Sequence, residues 1–150
     1  MEAWMLSKLL PNQVAAYWDS IKHGVEQSCP ADVVLTPTGL NSYLIALMSG
    51  NLQAWLLTEP TPEKVNYFGN LITKIQTDEI TGVKTLLLVS LYLYESAPVE
   101  LWQDAYAKLE LYGKANDCKK IVAYTTNPAI LQRGNQFGFN TEWMVLAKEI

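Results

Sequence analysis

Apolar residues in the first third of the chain recur at helical spacing. One stripe carries residues separated by four, three and four positions: Val14, Trp18, Ile21 and Val25. Asn12 provides a capping side chain in front of this stretch, and Pro30 ends it. Thr36 and Pro37, a capping hydroxyl followed by proline at the first helical position, predict a second helix that runs to Gly50. Two amphipathic helices are therefore expected near the N-terminus.

The middle of the chain has the period-two pattern of strands. Residues 53–58 form a short apolar run that is closed by prolines at positions 60 and 62. Residues 65–77 alternate between a more apolar face and a mixed face, which predicts a half-covered strand. After a turn at 78–82, residues 84–93 are apolar on both faces, as expected of a central strand. Residues 65–93 are therefore predicted to form a long antiparallel hairpin.

A helix followed by a short strand is predicted next. Pro98 stands in the first turn, with Ser96 or Ala97 as the cap, and the helix extends to about residue 116. Its apolar stripe comprises Leu101, Trp102, Ala105, Leu109 and Tyr112. Residues 120–125 are rich in strand formers, so strand, helix and strand in this order imply a right-handed parallel crossover. Asn127 caps a last short helix through Leu131, and residues 142–148 are predicted to form a terminal strand.

The bulk properties fit one soluble globular domain. The chain has 150 residues, 49% of them hydrophobic, and a formal net charge of -4. Its 11 Lys and Arg residues are dispersed, which argues against nucleic acid as a partner. Cys29 and Cys118 lie far apart and only one His is present, so neither a disulfide framework nor a metal site is predicted. No signal peptide or membrane-spanning run is recognisable, so a cytoplasmic protein is expected.

The N-terminal residues 1–11 form an apolar segment outside the predicted elements. The segment contains Trp4, Met5, Leu9 and Leu10. We expect it to dock on the domain or on a protein partner. The predicted hairpin could also pair with another copy of the chain. The apolar segment and the hairpin together are compatible with a homo-oligomer and with a virion or assembly role.

The order of the predicted elements resembles the GNAT (GCN5-related N-acetyltransferase) superfamily from about residue 12 to the C-terminus. Two opening helices, an antiparallel hairpin, a βαβ crossover and a short helix occur in the order found there. Asn127 and the sequence Gln136-Phe137-Gly138-Phe139 are similar to the Asn and the Gly-Phe close of that superfamily. The pattern also resembles small GNAT-like proteins of tailed phages, which would act in the host cytoplasm. The resemblance implies a single α/β domain over residues 1–150, with a mixed, mostly antiparallel sheet flanked by helices.

The resemblance also implies a site for acetyl-CoA between the strands that end at Leu93 and Thr125. The residues expected to contact this cofactor are Leu91, Leu93, Tyr94, Ser96, Ala97, Val99 and Asn127. The superfamily holds the pyrophosphate on a glycine-rich loop, whereas residues 94–98 contain no glycine, and Pro98 has no amide hydrogen. Gly134 stands where many members have a tyrosine that reprotonates the thiolate. Tyr124 is therefore the candidate catalytic acid, with Tyr94 as the alternative. No base stands out on the central strand, and the nearest carboxylates by topology are Glu95, the candidate, and Glu59.

Two functions remain open from the sequence. An active protein would transfer an acetyl group from acetyl-CoA to a small-molecule or protein amine. The alternative is a catalytically inactive GNAT-fold module, such as a phage or host-takeover factor, that acts by binding another protein. An open cleft favours the enzyme, whereas Tyr94 and Tyr124 filling that cleft would favour the scaffold. His23, the one histidine, is interpreted as a surface residue of the first helix, with a catalytic role as the alternative.

Overall fold

The computed structural model describes residues 5–28, 36–60, 62–94, 96–125, 127–142, 146–148 and 150. Its strands are β1 (Met5–Lys8), β2 (Gln53–Pro60), β3 (Val65–Thr77), β4 (Lys84–Leu93) and β5 (Cys118–Ala123). Its helices are α1 (Val14–Ser28), α2 (Pro37–Ser49), α3 (Val99–Ala115) and α4 (Pro128–Gln136). A short 3₁₀ turn, Pro11–Gln13, leads directly into α1.

The strands form one sheet in the order β1-β2-β3-β4-β5. Neighbouring strands are antiparallel as far as β4, and β5 lies parallel to β4 because α3 carries the chain back along the sheet. The predicted long hairpin is confirmed, since Thr77 pairs with Lys84 at its tip and Gly69 pairs with Leu93 at its base. The predicted α/β architecture, a mixed and mostly antiparallel sheet flanked by helices, is also confirmed.

Each face of the sheet has its own apolar core. On the α3 face the buried residues are Leu6, Trp55, Leu57, Phe68, Leu71, Leu86, Leu101, Ala105 and Leu109. On the face covered by α1 and α2 they are Leu9, Val14, Ile21, Val25, Leu47, Ala54, Leu56 and Ile72. Successive residues such as Leu56 and Leu57 belong to opposite cores because side chains alternate along a strand. β4 contacts both cores, through Leu86 and Val89, which explains why its sequence is apolar on both faces.

Part of the N-terminal segment belongs to the sheet, which corrects the expectation that this part lies outside the predicted elements. Residues 5–8 form β1 and pair with residues 55–58 of β2. Leu6 is 2% exposed, and its amide donates to Asp104 Oδ2 of α3 at 3.0 Å. A strand of four residues is too short for alternation to distinguish it from a loop. Trp4 lies outside the described residues.

Two helix starts differ from the sequence prediction. Asn12 lies inside the 3₁₀ turn, and the cap is at Leu10, whose amide donates to Gln13 Oε1 at 2.8 Å. α3 begins at Val99 with Pro98 as its N-cap and has no side-chain cap, so neither Ser96 nor Ala97 has the predicted capping role. Pro11 is the first residue of the 3₁₀ turn and Pro98 is the N-cap of α3, and in both places the fixed φ of proline suits the start of a helix.

The caps of α2 and α4 are confirmed. Thr36 Oγ1 accepts a hydrogen bond from the Gly39 amide at 3.0 Å, and Gly50 ends α2 with a φ of 84°. Asn127 Oδ1 accepts from the Ala129 amide at 2.9 Å.

Several element ends differ from the prediction. α4 continues past the predicted end at Leu131, to Gln136, and β2 continues to Pro60. β5 occupies residues 118–123 instead of 120–125. Within the predicted terminal strand, Glu142 and residues 146–148 are not in a strand, and residues 143–145 lie outside the described part of the chain.

Candidate functional site

A gap opens between β4 and β5 in the second half of β4. The two strands pair from Lys84 with Cys118 to Leu88 with Ala123. β4 continues to Leu93, whereas β5 ends at Ala123. Residues 90–93 therefore pair only with β3, and the outer edge of residues 89–93 faces no other strand among the described residues. An unpaired edge presents backbone donors and acceptors to an extended group that enters the gap.

A β-bulge lies where the two strands part. Ile72 of β3 pairs with Ser90, and Thr73 pairs with Leu88, so Val89 is an extra residue in β4. A bulge bends its strand and increases the local twist. Val89 packs against the α1 core, and Ser90 stands opposite Ile72 of the same core, so both residues lie on the α1 face. The interruption accounts for β4 turning away from β5 at this position.

The gap leads into an apolar cleft on the α3 face, with a cavity of about 150 Å³. The end of β4 and the start of α3 form one wall, and α4 forms the other. The lining includes Leu91, Leu93, Ala97, Leu101, Ile130 and Phe137. Tyr106 of α3 holds the second wall in place, because its ring stacks on Phe137 at 5.2 Å and contacts Phe139 at 6.0 Å. Gly138, with a φ of 86°, makes the turn between these two phenylalanines.

Two polar side chains that the sequence pattern does not single out also line the cleft. Arg133, the one arginine of the chain, is the only charged residue in the described part of the lining. Its Nη1 donates to Gln136 Oε1 at 3.1 Å. The Tyr106 hydroxyl donates to the Glu110 carboxylate, and this hydrogen bond together with burial raises the pKa of Tyr106. Its phenol therefore stays protonated at neutral pH.

The N-terminus of α3 opens beside the cleft. The Pro98 carbonyl accepts hydrogen bonds from the amides of Leu101 and Trp102 at 3.1 and 3.4 Å. The first amides of the helix, those of Val99 and Glu100, have no intrahelical acceptor, and among the described residues no side-chain cap is found at the N-cap. Such amides, together with the helix dipole, favour an anion at this end of the helix.

The predicted cofactor contacts fall in different places. Leu91, Leu93 and Ala97 line the cleft. Ser96 is exposed before α3, and Val99, the first residue of that helix, is 40% exposed. The remaining two residues of the set are Tyr94 and Asn127. Asn127 serves as the cap of α4, and Tyr94 lies on the α1 face, where its hydroxyl donates to the Ser20 carbonyl at 2.9 Å.

The candidate catalytic residues are not brought together in the described part of the chain. Tyr124 follows β5 and is 64% exposed, and Glu95 lies outside the described residues. Glu59 accepts a hydrogen bond from Asn66 Nδ2 at 3.4 Å, across β2 and β3. Neither Tyr94 nor Tyr124 is among the residues that line the cavity, so these side chains leave the cleft open.

Polar groups interrupt the apolar contact between α1 and the sheet. Asn70 is 1% exposed, and its Nδ2 donates to the Ser20 carbonyl at 3.0 Å and lies 3.3 Å from the Tyr94 hydroxyl oxygen. Ser90, beside the bulge, is also buried. Asn70 Oδ1 and Ser90 Oγ have no hydrogen-bond partner among the described residues. We call Ser20, Asn70, Ser90 and Tyr94 the polar junction.

An aromatic group borders the polar junction at the end of β4. The exposed side chain of His23 on α1 meets Tyr92 edge to face, with ring centroids 5.2 Å apart. The same imidazole lies parallel to the Tyr94 ring, with centroids 6.1 Å apart. Gly24 allows α1 to come this close, because a Cβ there would lie 2.2 Å from Asn70 Oδ1.

Other chemistry is less favoured in the described residues. Burial raises the pKa of the partly buried Cys118 thiol, with Asp117 adding to the effect and Lys84 opposing it. A thiol of raised pKa is a weak nucleophile at neutral pH. No three His, Cys, Asp or Glu side chains of the described residues are grouped to hold a metal ion. Within the same residues, no helix has the length and apolar character needed to cross a membrane.

Several solved structures that this chain resembles are acetyltransferases. The aminoglycoside N-acetyltransferase AAC(6')-Iy, in complex with a bisubstrate analogue, matches with a TM-score of 0.70 at 12% identity, over 99% of each chain. The ribosomal-protein-alanine N-acetyltransferase of Brucella melitensis matches with 0.68 at 12% identity, over 99% of this chain and 100% of that one. A predicted acetyltransferase from Clostridium acetobutylicum, solved with acetyl-CoA, matches with a TM-score of 0.67 at 12% identity, over 96% of each chain. The chain therefore has the GNAT fold over nearly its whole length.

No protein-family model matches the sequence, and no curated protein gives a significant match.

Proposed function

We propose that the protein is an N-acyltransferase that binds acetyl-CoA in the cleft between β4 and β5 and transfers the acetyl group to an amine. The observation that carries the proposal is the divergence of these strands at the Val89 bulge, which leaves an apolar cleft with one free strand edge. Two of the matching structures hold a CoA-containing analogue and acetyl-CoA, respectively. Those ligands support an acyl-CoA as the molecule that fits this cleft.

The residues of the cleft fit the parts of acetyl-CoA. The free edge of residues 89–93 offers backbone groups to the amides of the pantetheine arm, and the apolar walls suit its methylene groups. Arg133 offers a guanidinium, which binds phosphate through paired hydrogen bonds. The uncapped N-terminus of α3 offers amides to the same anion. These groups can bind the phosphates of acetyl-CoA even though residues 94–98 do not form a glycine-rich loop.

The protein contributes to the reaction by positioning the two reactants and by stabilising the charge that develops on the thioester carbonyl. When bound, acetyl-CoA supplies a thioester, from which an amine takes the acetyl group to give an amide and a thiol. The free backbone amides beside the bulge can donate to the carbonyl oxygen that gains negative charge as the amine adds. The apolar walls exclude water, which strengthens these hydrogen bonds and limits hydrolysis. Holding both reactants at one edge removes much of the entropic cost of their encounter.

The first experiment is titration calorimetry of the protein with acetyl-CoA, CoA and pantetheine. We expect saturable one-to-one binding of acetyl-CoA and CoA, with a higher melting temperature in their presence, because a ligand that binds only the folded state stabilises it. Thiol release in the presence of methylamine then tests transfer. Failure of acetyl-CoA to bind at millimolar concentration would reject the proposal and leave the protein-binding module as the better hypothesis.

Replacing Arg133 with glutamine is expected to weaken CoA binding by about 10- to 100-fold, because a charge-assisted hydrogen bond to phosphate contributes about 1.5–3 kcal/mol. Binding of pantetheine, which lacks the diphosphate, should not change. Lys74→Gln is the matched control, since Lys74 is an exposed cation of β3 that does not line the cleft. Equal losses for CoA and pantetheine in Arg133→Gln would mean that the arginine supports the cleft wall and does not bind phosphate.

A further inference from the structure

At the end of β4, residues 91–93 contact different parts of the molecule on the two faces of the sheet. Leu91 and Leu93 line the cleft on the α3 face. Tyr92 lies between them in sequence and contacts the His23 ring on the α1 face, with centroids 5.2 Å apart. Because β5 ends before this stretch, the free outer edge of residues 89–93 borders both faces. A group held along that edge in the cleft is therefore open to approach from the side of His23.

His23 is both accessible and held in position. Its side chain is exposed, yet its ring contacts Tyr92 and Tyr94. Tyr94 is in turn fixed by its hydrogen bond to the Ser20 carbonyl, three residues before His23 on α1. Imidazole is the side chain best suited to take up a proton near neutral pH, and this is the only one in the chain.

The polar junction is a second observation at the same place. Asn70 and Ser90 are 1% and 7% exposed, and Asn70 Oδ1 and Ser90 Oγ have no partner within the part of the chain that the structure describes. Ser90 adjoins the bulge, and Asn70 stands opposite Tyr92. A buried polar atom without a partner costs about 1–3 kcal/mol, so a purely structural contact between helix and sheet would be more stable with apolar residues here. Buried polar atoms of this kind call for an explanation, and a functional site beside His23 and the gap provides one.

We propose that His23 is the base that accepts the proton of the acceptor amine, which approaches the gap over the α1 face. This inference rests on the proposed N-acyltransferase function. The acceptor, arriving as an ammonium ion, first gives one proton to the imidazole. The neutral nitrogen then bonds to the thioester carbon as the carbon–sulfur bond breaks, and it loses a second proton to solvent. The sulfur leaves with the electron pair of the broken bond and takes a proton from solvent, while the imidazolium returns its proton to solvent.

The charges around His23 favour an acceptor that arrives as an ammonium ion. On α1, Asp19 and Glu26 stand four residues before and three residues after His23, on the same side of the helix, whereas Lys22 is its neighbour along the chain. From β4, the groups that face the imidazole are the phenols of Tyr92 and Tyr94. Two carboxylates beside the site attract a cationic amine.

Two substitutions separate a base from a packing residue. His23→Phe keeps a ring against Tyr92 and Tyr94 but cannot take a proton, and His23→Gln keeps a polar group without the ring. With methylamine and spermidine as probe amines, we expect both variants to lose about 100-fold in kcat. The Kd for acetyl-CoA and the melting temperature should stay at the wild-type values. The wild-type rate should fall as pH drops and the imidazole becomes protonated, and both variants should lose this limb of the profile.

The single histidine also gives a readout that does not depend on turnover. In protein without a histidine tag, the imidazole NMR signals report only His23, and their titration midpoint should match the acid limb of the rate profile. A His23→Phe variant with the wild-type rate and pH profile would overturn the inference and leave the proposed function standing. Wild-type protein that neither binds acetyl-CoA nor acetylates either amine would instead reject the proposed function.

Discussion

Replacement of Gly69 by alanine is expected to lower the free energy of unfolding by about 3 kcal/mol, as overpacking of a rigid contact does. Gly69 of β3 stands opposite Leu93 at the base of the hairpin. A Cβ there would lie 1.9 Å from the Tyr92 carbonyl oxygen and 2.9 Å from the Leu93 Cα. Both atoms belong to the backbone, so relief requires β3 and β4 to move apart beside the gap. Urea unfolding followed by tryptophan fluorescence measures the loss.

Gly113→Ala is the matched control for this prediction. A Cβ at Gly113 would lie 3.7 Å from the Cys118 Cβ and 3.8 Å from Leu86 Cδ2, which are ordinary contact distances. Gly113 lies in α3, where alanine is more favourable than glycine by about 1 kcal/mol. The two Gly→Ala changes should therefore shift stability in opposite directions. A stabilised Gly69→Ala variant would contradict the close approach of β3 and β4 that defines the end of the hairpin.

The long elements of the fold were predictable because their patterns are periodic over many residues. The α1 stripe and the apolar run of residues 84–93 each carry their own signal, and both are found where the sequence places them. β1 has no such signal, since its four residues become a strand only by pairing with residues 55–58 and by the hydrogen bond from Leu6 to Asp104. Such pairing depends on residues about fifty and a hundred positions away, which a local pattern does not report.

The bulge could not be predicted from the sequence either. Residues 86–93 are nearly all apolar. The one-residue shift in pairing at Val89 therefore replaces one apolar residue by another on each face, and the sequence shows no sign of it. The position of the gap depends on this shift and on where β5 ends. Resemblance to a known topology therefore located the cleft, whereas periodicity alone located only the strands around it.

The polar residues of the candidate site were the hardest to predict. Arg133, Tyr106 and His23 lie on three different helices, and each has an ordinary local setting. Their significance comes from the surfaces that the fold brings to β4: Arg133 and Tyr106 in the cleft and His23 at the opposite face. The only sign in the sequence is that the chain contains a single arginine and a single histidine. Rarity does not indicate a partner, so these roles required the three-dimensional arrangement.

Ala97→Trp is expected to abolish acetyl-CoA binding, with a loss of at least about 100-fold, which corresponds to about 2.7 kcal/mol. Ala97 precedes α3, lines the cleft and packs against the core of the α3 face. An indole at this position occupies space in a cavity of about 150 Å³. A ligand and a fixed side chain cannot share that space. Titration calorimetry measures the loss, and thermal unfolding of the variant without ligand checks that the fold is kept.

Ala107→Trp is the control for the added indole. Ala107 is exposed on α3 and does not line the cleft, so this variant should bind acetyl-CoA as the wild-type protein does. Binding of acetyl-CoA by a folded Ala97→Trp variant with wild-type affinity would mean that the ligand does not use the cleft between β4 and β5. The free edge of residues 89–93 would then need another occupant, and the proposed acyltransferase mechanism would lose the feature on which it depends. Selective loss in Ala97→Trp would place the ligand beside Leu91 and Leu93, on the strand edge that also borders His23.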